Sequence, residues 1–245
     1  MIDLHSHVLA GVDDGPETLE ESLEVLAAAA EDVSAIAATP HVGARYPTTA
    51  AVMERELERT AEALSARGSP LRLLPGGEIE LAWLGGLSDD ELRRFSLAGS
   101  GRYLLVELPW DGWARETPEL LGRVSGLGLR PVIAHPERHV DVQERPGRAE
   151  ALVTGGALLQ VTASSLVGQH GRKAQATARQ LIGFGLVHLV ASDRHGSRLR
   201  RATMQQARRK LGSGLLTDWL TTDVPAAIVA GAEVPPRPGG GGGAR

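Results

Sequence analysis

The sequence predicts an α/β protein, a TIM-like (β/α)7 barrel with a metal site at the carboxyl ends of its parallel strands. Short apolar runs alternate with helix-like segments along most of the chain, which is the pattern of parallel β/α units. A length of 245 residues lies within the range of one such barrel. Six of the seven apolar runs precede a histidine or carboxylate suited to binding metal. Because the carboxyl ends of barrel strands meet at one mouth, these side chains should converge.

Four of the predicted strands lie in the first half of the chain. They are residues 2–5, 35–39, 71–74 and 103–107. Thr18 and Glu21 form a capping-box pattern, which predicts that a helix begins at this point. Residues 49–67 have the pattern of a charged amphipathic helix.

The remaining predicted elements continue the same alternation. The strands are residues 131–134, 157–161 and 187–191, and the helices are residues 118–127 and 173–184. We expect residues 1–234 to form a single domain. Residues 235–245, which include five consecutive glycines, are expected to be a disordered tail.

Composition excludes several classes of protein and of mechanism. The absence of cysteine excludes disulfides, thiolate metal sites and a cysteine nucleophile, so water is the expected nucleophile for any phosphoester hydrolysis. A formal net charge of −4 gives no overall attraction for nucleic acid. The sequence shows no signal-peptide pattern and no apolar stretch near the roughly 20 residues of a spanning helix. We therefore expect a cytoplasmic protein without membrane insertion.

Histidines and acids follow the predicted strands. His5 and His7 stand two residues apart, so both side chains can point to one side of a strand and bind one ion. Taken alone, the pair also fits a strand with two surface histidines. Five of the eight histidines, together with acids, follow six separate strands, however, and that convergence predicts a metal centre.

With these residues the sequence resembles the polymerase and histidinol phosphatase (PHP) family, and within it the bacterial tyrosine-protein phosphatases of capsular and exopolysaccharide operons. The resemblance covers almost the whole chain, and the order and spacing of its short motifs make it specific. The motifs are residues 3–7, 11–16, 38–41, 77–79, 106–109, 133–139, 160–171 and 192–195.

The resemblance implies a distorted barrel of the PHP fold that binds three divalent ions, often manganese. The implied ligands are His5, His7, Glu78 and Asp193 for one ion, Glu78, Glu107 and His135 for a second, and Asp14, His41 and His195 for the third. Imidazoles and carboxylates without thiolate suit manganese, iron, zinc or magnesium, and the sequence does not choose among them. Asp13 is either a residue that orients a ligand or a plain turn residue.

The resemblance also implies a phosphate-binding arginine at Arg138. Its planar fork matches two phosphate oxygens, whereas the alternative is a surface salt bridge to Glu137 or Glu144. Arg198 or Arg200 is the candidate for a second phosphate arginine, although the Arg-Pro-Pro that usually follows the last histidine in the family is absent. The predicted catalytic residues are Arg138, His41 and Asp193.

These residues predict a metal-dependent phosphomonoesterase in which water attacks phosphorus. The expected substrate is phosphotyrosine, on the tail of a bacterial tyrosine kinase that controls polysaccharide assembly. Trp110 and Trp113 either form a wall against the phenyl ring or simply pack near the rim. One alternative is hydrolysis of a small phosphorylated metabolite, such as histidinol phosphate, or of a phosphodiester. The other is a metal-binding regulatory module without catalysis.

Overall fold

A computed structural model describes residues 1–110, 112–196 and 203–239 of the chain. Within these ranges nine short strands occur, and they pair in parallel throughout. The strands are β1 (Ile2–Asp3), β2 (Ala35–Ala37), β3 (His41–Val42), β4 (Arg72–Leu74), β5 (Glu78–Glu80), β6 (Tyr103–Glu107), β7 (Arg130–Ile133), β8 (Leu158–Thr162) and β9 (Leu189–Ala191).

The strands form a barrel with seven strand positions. Strands β1, β2 and β4 form one sheet, and β3, β5, β6, β7, β8 and β9 form the other. The backbone joins β1 to β9 where the Asp193 N–H donates to the His5 carbonyl (2.9 Å) and the His7 N–H donates to the Arg194 carbonyl (2.7 Å). The predicted (β/α)7 architecture is therefore confirmed.

Two of the predicted strands are continued beyond a proline by a second short strand that was not predicted from the sequence. The second position consists of β2 and β3, and the third consists of β4 and β5. Pro40 and Pro75 lie at the two interruptions, where a residue without N–H cannot donate to a ladder. The Glu78 N–H donates to the Pro40 carbonyl across the gap (3.0 Å), so the two interrupted positions stay aligned. Glu78 consequently begins a strand, whereas it was expected to follow one.

Helices surround the strands. The α-helices of the described residues are α1 (Leu19–Ala30), α2 (Ala50–Ala66), α3 (Asp89–Arg94), α4 (Thr117–Gly126), α5 (Val140–Glu144), α6 (Ala149–Thr154), α7 (Ala163–Leu166), α8 (Gly171–Gly183), α9 (Met204–Leu211), α10 (Leu215–Asp218) and α11 (Val224–Val229). The Thr18 hydroxyl caps α1 by accepting from the Glu21 N–H (3.2 Å), as predicted. The Glu21 carboxylate reaches back to the Glu17 N–H instead of that of Thr18 (2.9 Å).

The core holds the strand ends in place. All residues of β6 and β8 are buried, as expected for parallel strands that are covered on both faces. Burying one large apolar side chain contributes about 1.5–3 kcal/mol. The side chains that follow these strands therefore project from the most firmly packed part of the molecule.

The C-terminal segment contacts the rest of the protein at two points. Trp219 Nε1 donates to the Pro235 carbonyl (3.0 Å), and the Arg237 guanidinium donates to the Ile182 carbonyl (2.9 Å). Residues 235–239 therefore lie against the body of the protein, whereas residues 240–245 lie outside the described ranges. Among the described helices, none is long and apolar enough to cross a membrane.

Candidate metal centre

The predicted metal ligands meet at the carboxyl ends of the strands. His5 and His7 follow β1, His41 begins β3, Glu78 begins β5, Glu107 ends β6, His135 follows β7, Asp193 and His195 follow β9, and Asp14 lies in the loop before α1. Each of the nine belongs to a group of three or more residues whose ligand atoms lie within 4.8 Å of one another. The structure therefore brings the whole set together.

Four donor atoms form the inner group of this site. His5 Nε2 and His7 Nε2 are 3.2 Å apart, and Glu78 Oε2 lies 3.2 and 3.3 Å from them. Asp193 Oδ1 lies 3.5 Å from each nitrogen. Ligand atoms about 2.0–2.2 Å from a tetrahedral ion are about 3.3–3.6 Å from one another. The spacing of the inner group thus fits one ion at its centre.

Glu78 connects the inner group to its neighbours. Its Oε1 lies 2.9 Å from His135 Nε2, and its Oε2 lies 3.1 Å from His41 Nδ1. In the part of the chain that the structure describes, the buried Oε2 receives no hydrogen bond of suitable geometry. Leaving such an oxygen unsatisfied costs about 1–3 kcal/mol or more. A carboxylate oxygen surrounded by imidazole nitrogens is suited to sharing a cation with them.

A second group lies nearer the solvent. Asp14 Oδ1 is 3.2 Å from His195 Nε2 and 3.6 Å from His41 Nε2. Glu107 Oε2 lies 4.0 Å from His41 Nδ1. His41 therefore faces Asp14 with one nitrogen and Glu78 with the other, so it lies between two groups rather than in one.

Hydrogen bonds orient two of the inner imidazoles. His5 Nδ1 lies 2.9 Å from Gln160 Oε1, and His7 Nδ1 lies 2.6 Å from Asp13 Oδ2. Because these oxygens accept the Nδ1 proton, each Nε2 faces the cluster. Asp13 thus has the contacts of an orienting residue. Sequence reasoning did not select Gln160 as a site residue, although it begins the motif of residues 160–171.

The backbone is strained at two of the ligand candidates. His135 has φ 32° and Asp193 has φ 51°, both in the left-handed region that non-glycine residues rarely adopt. Each such residue costs about 1–3 kcal/mol and persists only where its surroundings hold it. The Asp193 carbonyl accepts from His195 Nδ1 (3.0 Å), which links the strained residue to the outer group.

The carboxylates raise the proton affinity of the inner imidazoles. Burial opposes a charge on His5, but Glu78 and Asp193 raise its pKa to about 9. Burial likewise opposes a charge on His7, yet the adjacent Asp13 carboxylate raises its pKa well above the usual range. In the chain without metal, both imidazoles therefore carry a second ring proton, and with it a positive charge, at neutral pH.

Burial dominates at two other ligand candidates. Burial, assisted by the charge of Glu78, raises the pKa of Glu107 to about 8. Burial lowers the pKa of His135 to about 4, so this imidazole is neutral and ready to bind a cation.

Metal binding should therefore release protons. His5, His7 and Glu107 must lose theirs before they can bind a cation, so about two to three protons per chain should leave at pH 7.5. The part of the release that comes from His5 and Glu107 should decline as the pH rises through 8 to 9, because their folded-state pKa values are then passed. Calorimetry in buffers of different ionisation enthalpy measures the number. A binding heat that is the same in every buffer would contradict the expected protonation.

Arg138 lies in the pocket and not on the outer surface. Its Nη1 donates to Asp193 Oδ2 (2.7 Å), and its guanidinium lies 4.7 Å from the ring centre of Trp110. Trp110 in turn stacks on His135 (5.3 Å, 12°). We call Arg138, Trp110 and His135 the Trp110 stack. The alternative of a surface pair with Glu137 or Glu144 is not found among the described residues, where Arg138 pairs with Asp193 and the buried Glu137 accepts from the Thr162 N–H (3.0 Å).

A matching arrangement on the β3 side was not predicted. Arg45 lies 5.1 Å from the ring centre of Tyr46, and Tyr46 stacks on His41 (5.7 Å, 14°). We call these three residues the Tyr46 stack. The only signal in the sequence was the short segment between His41 and the helix that begins at Ala50.

Both stacks line a pocket of about 400 Å³. Its walls include Asp14, His41, Arg45, Tyr46, Glu78, Glu80, Glu107, Trp110, His135, Arg138, Asp193 and His195. The predicted catalytic residues Arg138, His41 and Asp193 are all among them. Trp113 instead packs beneath Arg148, 4.8 Å from its guanidinium, and does not line this pocket. Arg198 and Arg200 lie outside the described residues.

Comparison with known sequences gives consistent matches over most of the chain. The sequence profile of the family described as "Capsular polysaccharide synthesis, CpsB/CapC" matches residues 1–222. Tyrosine-protein phosphatase YwqE of Bacillus subtilis is 34% identical over 210 residues, which are 84% of this chain and 82% of that protein. Putative tyrosine-protein phosphatase CapC of Staphylococcus aureus is 33% identical over 84% of this chain and 81% of its own length.

Comparison with solved structures agrees. A structure from the crystallographic work on YwqE from Bacillus subtilis and CpsB from Streptococcus pneumoniae, described as unique metal-dependent tyrosine phosphatases, superposes with a TM-score of 0.87. It is 32% identical and covers 97% of this chain and 99% of its own. A β-aspartyl dipeptidase of Fervidobacterium islandicum AW-1 has a TM-score of 0.52 at 14% identity, covering 93% of this chain and 73% of its own, and is similar in fold alone.

Proposed function

This chain belongs to the CpsB/CapC family of capsular polysaccharide synthesis, and on that premise we propose that it is a metal-dependent protein-tyrosine phosphatase. The observation that carries the proposal is the convergence of nine imidazole and carboxylate residues, seven of which line one pocket with Arg138 at its wall. The names of the curated relatives support the same activity.

We propose three divalent ions for this site. One ion would be bound by His5, His7, Glu78 and Asp193. A second would be bound by Glu78, Glu107 and His135, and the third by Asp14, His41 and His195. The buried Glu78 Oε2 without a hydrogen bond and the spacing of the inner donor atoms support a cation there. Manganese is our first choice, with iron, zinc and magnesium as the other metals that suit oxygen and imidazole donors.

Bound divalent ions supply Lewis acidity toward phosphoryl oxygens and lower the pKa of water, so that water can serve as the nucleophile. The chain offers no cysteine for a covalent phosphoenzyme. Asp14, Glu78, Glu107 and Asp193 provide four carboxylate charges, fewer than the charge of about +6 on three divalent ions. The loaded site would therefore attract a phosphate monoester.

Arg138 would bind and orient the phosphoryl group. A guanidinium has five N–H donors in a planar fork, and the Asp193 carboxylate accepts from Nη1 (2.7 Å). The contact with the Trp110 ring restricts the orientation of the guanidinium further. The fork is thus restrained before substrate arrives, which reduces the entropy lost on binding two phosphate oxygens.

We propose that the substrate is phosphotyrosine on a protein, namely the tail of a bacterial tyrosine kinase that governs capsule or exopolysaccharide assembly. The relatives' names and the capsular family support a phosphoprotein substrate. Trp110 is 48% exposed at the pocket, so part of its ring is available for contact with the phenyl ring of the leaving group.

The test compares three substrates under metal control. Manganese-loaded protein should hydrolyse a phosphotyrosyl peptide faster than histidinol phosphate or a phosphodiester, and a chelator should abolish turnover and lower the melting temperature. Readdition of manganese should restore both. A preference for histidinol phosphate would establish the metabolite hydrolase instead, and metal binding without any turnover would establish a regulatory module.

A further inference from the structure

The two stacks of the pocket differ in the partner of their arginine. In the Trp110 stack, Arg138 donates to the Asp193 carboxylate. In the Tyr46 stack, Arg45 is exposed at the pocket, and no carboxylate within the described ranges lies within 4.0 Å of its guanidinium. As far as the described residues go, the donors of Arg45 are therefore open to a partner from solution.

The loop of residues 43–48 holds Arg45 at this position. The Gly43 N–H donates to the Tyr46 carbonyl (2.9 Å), which closes a tight turn. The Ala44 N–H donates to Glu80 Oε2 (3.1 Å). A Cβ at Gly43 would lie 2.1 Å from the Glu80 carboxyl carbon, so only glycine allows this packing. These contacts attach the loop to β5, so the turn that contains Arg45 is held in place.

The nearby carboxylate of Glu80 does not pair with Arg45. Glu80 lines the same pocket, but its Oε2 accepts from the backbone of Ala44. The chain contains 30 acidic and 26 basic residues, so an arginine without an acidic partner is not due to a shortage of acids. The contact with the Tyr46 ring restrains the guanidinium further. A restrained guanidinium with free donors is suited to binding a carboxylate.

Resting on the proposed function, we propose that Arg45 recognises an acidic side chain beside the phosphotyrosine, so that the enzyme prefers acidic phosphotyrosyl peptides. The phosphoryl group would be bound at Arg138 and the metal ligands, and the peptide would leave the pocket past the Tyr46 stack. Successive residues of a peptide are about 3.8 Å apart, so a residue one to three positions away reaches the rim. Arg45 is thus a specificity residue and takes no part in bond cleavage.

The test measures kcat/KM for phosphotyrosyl peptides that carry Glu, Gln or Lys at each of the flanking positions. In the wild-type protein we expect the Glu peptide to exceed the Gln peptide by about two- to fivefold at the best position, the range of an exposed ion pair. Salt near 1 M should abolish the difference by screening. Arg45→Gln should bring the ratio to about one, and Arg45→Glu should favour the Lys peptide.

A matched control separates this effect from net charge. Arg59→Gln makes the same change in charge on α2, where Arg59 is 59% exposed, pairs with Glu56 and does not line the pocket. It should leave the ratio at its wild-type value. The ratio of two peptides on one protein sample does not depend on the fraction of folded protein, so partial unfolding of a variant cannot imitate the result.

The outcomes distinguish the two proposals. Equal kcat/KM for Glu and Gln peptides at every position, with phosphotyrosine turnover intact, would overturn the role of Arg45 and leave the proposed function standing. A ratio that persists in Arg45→Gln would do the same. No turnover of any phosphotyrosyl peptide would overturn the proposed function itself.

Discussion

Glu78→Gln is expected to lower phosphotyrosine turnover at least about a hundredfold and to reduce the manganese that the chain retains. Loss of an orienting partner already costs about 10–100-fold, and loss of a direct ligand should cost no less than the upper figure. Glutamine keeps the shape but turns one oxygen into a donor group. Both oxygens face imidazole nitrogens, at 2.9 Å and at 3.1–3.3 Å, so neither amide orientation preserves the contacts. Elemental analysis and steady-state kinetics measure the two effects.

Glu62→Gln provides the control for this substitution. Glu62 is an exposed carboxylate on α2, remote from the pocket, so metal content and turnover should match the wild-type protein. Manganese should raise the melting temperature of the wild-type and control proteins more than that of Glu78→Gln, because ions that bind only the folded state stabilise it. Wild-type activity with a full metal complement in Glu78→Gln would remove Glu78 from the proposed site.

Arg138→Lys is expected to reduce kcat/KM for phosphotyrosyl peptides by about ten- to a hundredfold. A hydrogen bond to a charged group contributes about 1.5–3 kcal/mol, and lysine loses the second arm of the fork while it keeps the charge. Lysine can still pair with Asp193, so the metal content should not change. Parallel measurement of kinetics and metal content separates a role in phosphate binding from a role in metal binding.

Arg148→Lys is a closely matched control. Arg148 also lies over a tryptophan, 4.8 Å from the ring centre of Trp113, and also donates to a carboxylate, that of Asp141 (2.8 Å). Arg148 does not line the pocket, so kcat/KM of the Arg148→Lys variant should remain near the wild-type value. If Arg148→Lys lost as much activity as Arg138→Lys, the effect would reflect the loss of a stacked ion pair, not of phosphate binding.

Much of the site follows from the order of residues along the chain. A parallel barrel brings the carboxyl ends of all its strands to one face, so side chains such as His41, Glu107 and His135 could be grouped before any distance was known. The resemblance to the PHP family then assigned these side chains to different metal ions. The structure adds that His41 faces two groups, which spacing along the chain cannot reveal because it depends on the angle of one imidazole ring.

Other features depend on contacts that the sequence does not encode locally. The predicted strands 35–39 and 71–74 end directly before Pro40 and Pro75, and only the pairing shows that a second short strand, β3 or β5, continues each position in the other sheet. Gln160 approaches His5 from a different strand. The Tyr46 stack arises because a short turn folds back over His41. Each of these depends on tertiary packing, which outweighs local pattern.

The hydrogen bonds that join β1 to β9 have a consequence for biosynthesis. Ser192 lies 187 positions after His5, yet the two segments must meet before Asp193 can join the histidine pair. At about 5–20 residues per second, a ribosome needs about 10 to 40 s to make the intervening chain. Throughout that time the emerging polypeptide has its first two imidazoles but lacks the acid that completes their group. Catalytic competence therefore arises only after Asp193 has been made, and a product terminated before Ser192 would be inert.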